Sequence, residues 1–133
     1  MGHSEAEVSK VIETGVLKAW LSQAGFLYFK CFPEKKHTLK DAKETMRVSA
    51  LLLGGRKRPA LVDLRPIKFI TREAREYYSG ENMTTLVCAA ALIVGSPLSR
   101  MVGNFFLGMN KPLIPIRLFS EERKAIQWLK KFI

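Results

Sequence analysis

Apolar positions in this chain follow two rhythms that take turns. Residues 16–22 and 26–32 are short, mostly apolar runs that read as two strands. Gln23, Ala24 and Gly25 between them predict a hairpin turn. In the second run Leu27, Phe29 and Cys31 share a face, and Pro33 ends it. The spacing then lengthens. Leu39, Ala42, Met46, Ala50 and Leu53 fall on one helical stripe, with Lys40, Lys43, Glu44 and Arg47 facing away. Thr38 predicts the N-cap, Asp41 completes a start of capping-box type, and Gly54 and Gly55 close the helix. Residues 60–64 are apolar up to Asp63 with little alternation, as in a central strand covered on both faces.

The same succession repeats twice more. Thr71 predicts a cap for a second helix from Arg72 to Ser79, with Ala74, Tyr77 and Tyr78 inward and Gly80 at its end. Residues 85–94 form the most apolar run and predict the most buried strand. Ser96 caps the next helix and Pro97 suits its first turn. Leu98, Met101, Val102, Phe105, Phe106 and Met109 give it a continuous apolar face. Gly103 and Gly108 lower helix propensity there, which implies close packing, and residues 110–112 stop it. Residues 114–119 are the last strand, placed at an edge by Pro115. Ser120 is the expected cap of a final helix, with Glu121 and Glu122 at its positive end and Lys130 and Lys131 at its negative end. Ala125, Ile126, Leu129 and Phe132 face inward. The order ββαβαβαβα predicts an α/β fold: an N-terminal hairpin, then alternating βα units, a mostly parallel sheet and four helices. Residues 1–10 read as a tail and 11–133 as a single domain.

Composition narrows the function classes. A chain of 133 residues suits one domain. The longest apolar run, 86–94, is far short of the about 20 residues that span a bilayer. The first residues carry acids and no apolar run, so no signal peptide is expected and the cytoplasm is the default compartment. Cys31 and Cys88 sit in apolar runs and read as buried free thiols. His3 and His37 lack partners at metal-ligand spacing, so no metal site is expected. Net charge is +10, and residues 30–75 hold 13 Lys or Arg against 5 Asp or Glu, a surplus of 8. That surplus reads as a solvated face or as attraction for an anionic partner. No nucleic-acid module signature accompanies it, so nucleic-acid binding rests on charge alone.

Three segments carry a resemblance: residues 61–65 (Leu-Val-Asp-Leu-Arg), 90–97 (Ala-Ala-Leu-Ile-Val-Gly-Ser-Pro) and 117–129 (Arg-Leu-Phe-Ser-Glu-Glu-Arg-Lys-Ala-Ile-Gln-Trp-Leu). In this order and spacing, over roughly residues 10–133, the chain resembles the STAS-domain superfamily, the fold of the anti-sigma factor antagonists. It looks most like uncharacterised SpoIIAA-like bacterial proteins. The resemblance implies the fold and, through related lipid-transfer domains, a carrier as one function. It does not bring the antagonists' switch. They carry Asp-Ser-Ser-Gly at the helix start and are phosphorylated on a serine there. This chain has Thr71, Arg72, Glu73 and Ala74. Arg72 and Glu73 accept no phosphate, and Thr71 stands in the place of the Asp.

Catalytic signatures are wanting. The sequence has no P-loop, nucleophile elbow or GxGxxG. Asp63, the one acid inside an apolar strand, stands beside Arg65 and reads as a loop anchor rather than a base. Neither an enzyme nor a cofactor is expected. In open α/β sheets ligands gather beyond the carboxyl ends of the strands. Those ends supply Asp63, Arg65, Gly95, Ser96, Arg100 and Ser120, and Thr71 joins them as the remaining candidate. Arg65 and Arg100 near the helix start at Ser96 would make an anion clamp; otherwise Ser96 is only a cap. The expected function is a non-catalytic regulatory or binding module for a protein partner or small ligand. An anion or lipid-type carrier, an antagonist-like regulator and a nucleic-acid binder are the alternatives. A homodimer is expected because Phe105, Phe106 and Met109, together with exposed edge apolar side chains such as Trp20 or Tyr28, exceed what one small core needs. A carrier requires an apolar cavity between the sheet and the 96–109 helix.

Overall fold

The computed structural model describes residues 10–33, 35–79, 81–108 and 113–133. The N-terminal tail, Gly80, Met109 and the 110–112 stop fall outside them, apart from Lys10 at the tail's end. The expected hairpin is β2 (Leu17–Leu21) with β3 (Leu27–Cys31), preceded by a two-residue strand β1 (Ile12–Glu13) on its outer side. Gly25 takes φ 101° in the turn, a conformation open to glycine at no steric cost. After β4 (Lys36–His37) comes α1 (Leu39–Leu53). Asp41 Oδ2 accepts from the Thr38 amide at 2.8 Å and the Thr38 hydroxyl at 2.9 Å, so one carboxylate holds the helix start. Gly54 ends it in the left-handed region at φ 60°.

Next come β5 (Arg58–Asp63), β6 (Phe69–Ile70), α2 (Arg72–Ser79), the single-turn α3 (Glu81–Thr84), β7 (Val87–Ile93), α4 (Pro97–Leu107), β8 (Ile116–Phe119) and α5 (Glu122–Leu129). The main sheet has the order β1-β2-β3-β5-β7-β8. Its first two pairings are antiparallel and the rest parallel. β7 is internal and nearly all buried, and β8, after Pro115, is at the edge, both as expected. β4 and β6 form a separate parallel pair, too short to be read from the sequence.

Helices cover both faces. α5 lies on one, where Trp20, Phe26, Tyr28, Leu61, Ala91, Ile93, Ala125 and Leu129 form a single buried cluster. α1, α2 and α4 lie on the other, and there the core is divided. One cluster joins Ala42, Ala74 and Val102 to Cys31, Ala90 and Leu92; a second joins Val48 and Leu53 to Leu17, Leu27, Phe29 and Val87. A β-bulge helps place them. Arg58 pairs with Val87 but Ala60 with Ala90, so β7 has one residue more than β5 between those pairs. Gly103 is where the predicted close packing occurs: a Cβ there would lie 2.9 Å from Leu118 Cδ2 and 3.1 Å from Val94 Cγ1.

Some side chains depart from expectation. Ala50 is exposed, because the buried stripe of α1 runs through Thr45, Met46 and Ser49 instead. Met101 is 58% exposed, since α4 rests on Val102 and Gly103. Cys88 is only half-buried, whereas Cys31 is buried, and both are free. Ser120 does not cap α5: the N-cap is Glu121, in extended backbone, without a side-chain capping bond. Among the described residues no helix is long and apolar enough to cross a membrane.

Candidate functional site

The carboxyl ends of the strands bring several sequence-predicted residues together but leave little open. β5 delivers Asp63, 1% exposed, onto the α5 face. Arg65 folds back on it: the amide and Nε donate to Oδ1 at 3.1 and 2.9 Å, and Nη2 donates to Oδ2 at 2.9 Å. This two-pronged bond raises the basicity of Arg65 above the ordinary guanidinium. Gly95 makes room for the arm, since a Cβ there would sit 3.3 Å from Arg65 Cγ. Nearby, the Tyr28 hydroxyl donates to Glu122 Oε1 of α5. Burial, then that bond, raises the Tyr28 phenol well above its usual range. Carboxylate, guanidinium and phenol thus satisfy one another, and Asp63 is the loop anchor the sequence suggested.

The start of α4 is similarly self-contained. Ser96 Oγ accepts from the Ser99 amide at 3.0 Å. Ser99 Oγ accepts from the amides of Gly95 and Ser96, both at 2.9 Å. Pro97 has no amide hydrogen. With these donors committed and Arg65 turned to Asp63, Ser96 is engaged as a cap and the two arginines form no clamp; Arg100 stands exposed. Thr71 caps α2, its Oγ1 accepting from the Ala74 amide at 3.2 Å. Ser120 is exposed beyond the edge strand.

A more enclosed, apolar opening lies elsewhere, where the divided core fails to close. A cavity of about 110 Å³ sits between the sheet and the helices of the α1/α2/α4 face. Its floor is Phe29, Cys31, Val62, Ala90 and Leu92 from the strands; its walls include Ile67, Tyr78, Met83 and Phe106. Leu113, 70% exposed, belongs to the lining as well. Across one wall His37 Nε2 and the Tyr78 hydroxyl share a hydrogen bond of 2.6 Å, tying β4 to α2. Burial lowers the His37 pKa to about 4, against a smaller opposing pull from Asp41, so the imidazole is neutral at pH 7. Burial raises the Tyr78 phenol and pushes the Cys31 thiol up to about 12.

None of the seven sequence-predicted candidates lines this cavity. His37 had been weighed only as a metal ligand, and Tyr78 only as a core residue. The usable signal was the smallness of Cys31 and Ala90 on inward strand positions opposite bulky helix residues. That pattern becomes visible only once the pairing is known.

Hairpin, sheet order and flanking helices together define a mixed α/β domain of the SpoIIAA-like fold. An uncharacterised protein of the DUF3478 family from Shewanella loihica PV-4, described as having a SpoIIAA-like fold, superposes with a TM-score of 0.59. It is 22% identical, over 96% of this chain and 99% of that one. A protein of unknown function from Arthrobacter sp. FB24 is 26% identical over 90% and 96% of the two chains, with a TM-score of 0.31. Residues 19–133 match the family described as a domain of unknown function, DUF7793, and the chain belongs to that family. No curated protein matches it.

Proposed function

We propose that this protein is a non-catalytic binding module that holds a small ligand in the cavity of the α1/α2/α4 face. The cavity itself carries the reading. Packed interiors leave few voids larger than a water molecule, because each costs stability. A hollow of about 110 Å³ beneath three helices is a natural place for a guest. The ionisable groups around it favour binding over chemistry: His37 is neutral and hydrogen-bonded, the Cys31 thiol stays protonated, and Asp63 is engaged by Arg65 on the opposite face. The Thr71 hydroxyl already accepts a helix amide, which favours a cap over a phosphorylation switch.

The test is native mass spectrometry and organic extraction of the purified protein, alongside a small-molecule thermal-shift screen followed by NMR of the Val62, Leu92 and Ile116 methyls. Bound or stabilising compounds that move those methyls are expected. A screen in which every hit leaves them unmoved would sink the reading.

Self-association is a second reading, although Trp20 and Tyr28, expected at an exposed edge, are buried beneath α5 and do not support it. Met101, Leu107 and Leu113 are 58, 39 and 70% exposed, and such side chains favour contact with another protein surface. A two-fold homodimer is the simplest such contact. Sedimentation that finds only a 15.1 kDa species at every concentration would refute it.

A further inference from the structure

The hydroxyls of Thr45, Ser79 and Thr84 in the cavity lining donate to backbone carbonyls before any ligand arrives, and the His37–Tyr78 bond uses one of the two protons that pair carries. The Thr45 hydroxyl donates to Asp41 O at 2.9 Å, Ser79 to Glu76 O at 2.8 Å and Thr84 to Glu81 O at 2.9 Å. His37 and Tyr78 bond to each other. Among the described residues no Lys, Arg, Asp or Glu lines the cavity. A ligand carboxylate or phosphate entering here would lose its hydration and meet no countercharge among the described residues, and the unpaired donor Cys31 offers only a weak S–H.

Size adds a second limit. An apolar cavity of about 150 Å³ in another protein stays dry and holds benzene. The hollow here, about 110 Å³, is of the same order and somewhat smaller. A single ring or a short branched chain fits, whereas a lipid acyl chain would have to leave much of its length outside, past the exposed Leu113.

We infer that the cavity takes a compact, uncharged, hydrocarbon-like molecule, a single ring or short branched chain, and discriminates against acids and long-chain lipids. The inference rests on the cavity being the ligand site, and it names the ligand's chemical class.

The experiment uses the whole chain with toluene, benzoate and dodecanoate as probes, and xenon as a test of access. The readout is the methyl NMR spectrum of Val62, Leu92 and Ile116. Toluene and xenon should shift these methyls saturably. Benzoate, close to toluene in size but charged, should bind at least about tenfold more weakly, a difference of about 1.4 kcal/mol. Ala90→Leu, which fills the floor, should abolish the toluene shifts. If Ala90→Leu does not fold, Ala90→Val should weaken them.

Benzoate or dodecanoate binding at these methyls as tightly as toluene would overturn the inference and leave the cavity as the ligand site. Undiminished toluene binding in a folded Ala90 variant would place the binding elsewhere and overturn it too. Wild-type methyls that respond to no probe, xenon included, would remove both the inference and the cavity reading.

Discussion

On the face beneath α5, Trp20 stacks on Tyr28 with ring centroids 4.4 Å apart, Tyr28 bonds Glu122, and Ala91 and Ala125 are fully buried. Across the same strands, the opposite face has three helices and two separate buried clusters with a hollow at their seam. Small residues lie on both sides. On the α5 face, alanines on strand and helix let the two approach, and aromatic side chains fill the margins. On the other, Ala90 and Cys31 lie under side chains as large as Tyr78 and Phe106. The His37–Tyr78 bond ties α2 to β4, which pairs with β6 and not with the main sheet. That bond fixes the helix to the small sheet instead of letting it settle on the strands. A small side chain makes a tight contact where its partner is free to approach, and a cavity where the partner is tethered.

The sharpest way to break this comparison is to remove one large side chain from each face. Phe26 is fully buried beside Tyr28, so Phe26→Ala should cost about 3–5 kcal/mol. Leu92 already borders empty space and has fewer neighbours to lose, so Leu92→Ala should fall near 2 kcal/mol, the low end for such changes. Urea denaturation of both variants checks the pair. Equal losses would mean that the two faces are packed alike.

Acid should act on the hollow face through His37. Its pKa is about 4 in the fold against an ordinary 6.5, so between those values the unfolded chain binds more protons. The stability is complete above the unfolded pKa and lost as pH falls from 6.5 towards 4, by up to roughly 3 kcal/mol. His37→Gln can keep a hydrogen bond to Tyr78 and should flatten that slope. Denaturation midpoints at pH 7.5 and pH 5, taken for both proteins, decide the matter: an unchanged slope in the variant would place the acid response elsewhere.

Space can be probed directly with neighbouring alanines of β7. Ala91→Val pushes methyl groups into the closed face and should cost about 1–3 kcal/mol. Ala90→Val pushes the same groups into the hollow and should be neutral or stabilising. Valine suits a strand equally at both positions, so propensity largely cancels from the difference. Thermal melts that rank the two variants the other way would contradict the cavity.

The sequence carried the frame of the molecule because the frame is local. The short apolar strand runs, the Thr38–Asp41 start, Gly54 and the apolar run into Asp63 each state their element within a few residues. The Asp63–Arg65 anchor was legible for the same reason, since its partners are two residues apart. The cavity was not legible, because it depends on pairing. The β-bulge that places both Val87 and Ala90 on the hollow face is hidden in a uniformly apolar run. His37 meets Tyr78 across a sequence separation of 41, only after the chain between them has folded. Ser120 misled because serine before two glutamates is a common helix start, whereas here the chain leaves β8 in extended backbone one residue longer.

The smallest expected effects concern those helix starts, and they too divide by face. Thr71 caps α2 on the hollow side with a side-chain bond, whereas α5 on the closed side begins without one. Thr71→Ala leaves the Ala74 amide without its acceptor and should cost about 1 kcal/mol. Thr71→Ser keeps the oxygen and should be nearly neutral. Ser120→Ala should change stability by less than about 0.5 kcal/mol, because an exposed side chain away from a cap contributes little. Thr71→Ser removes one methyl, Ser120→Ala one hydroxyl and Thr71→Ala both, so comparing their urea midpoints separates the hydroxyl from the methyl. A loss at Ser120 as large as at Thr71 would mean that α5 is capped after all, and that the closed face relies less on packing than its aromatic contacts imply.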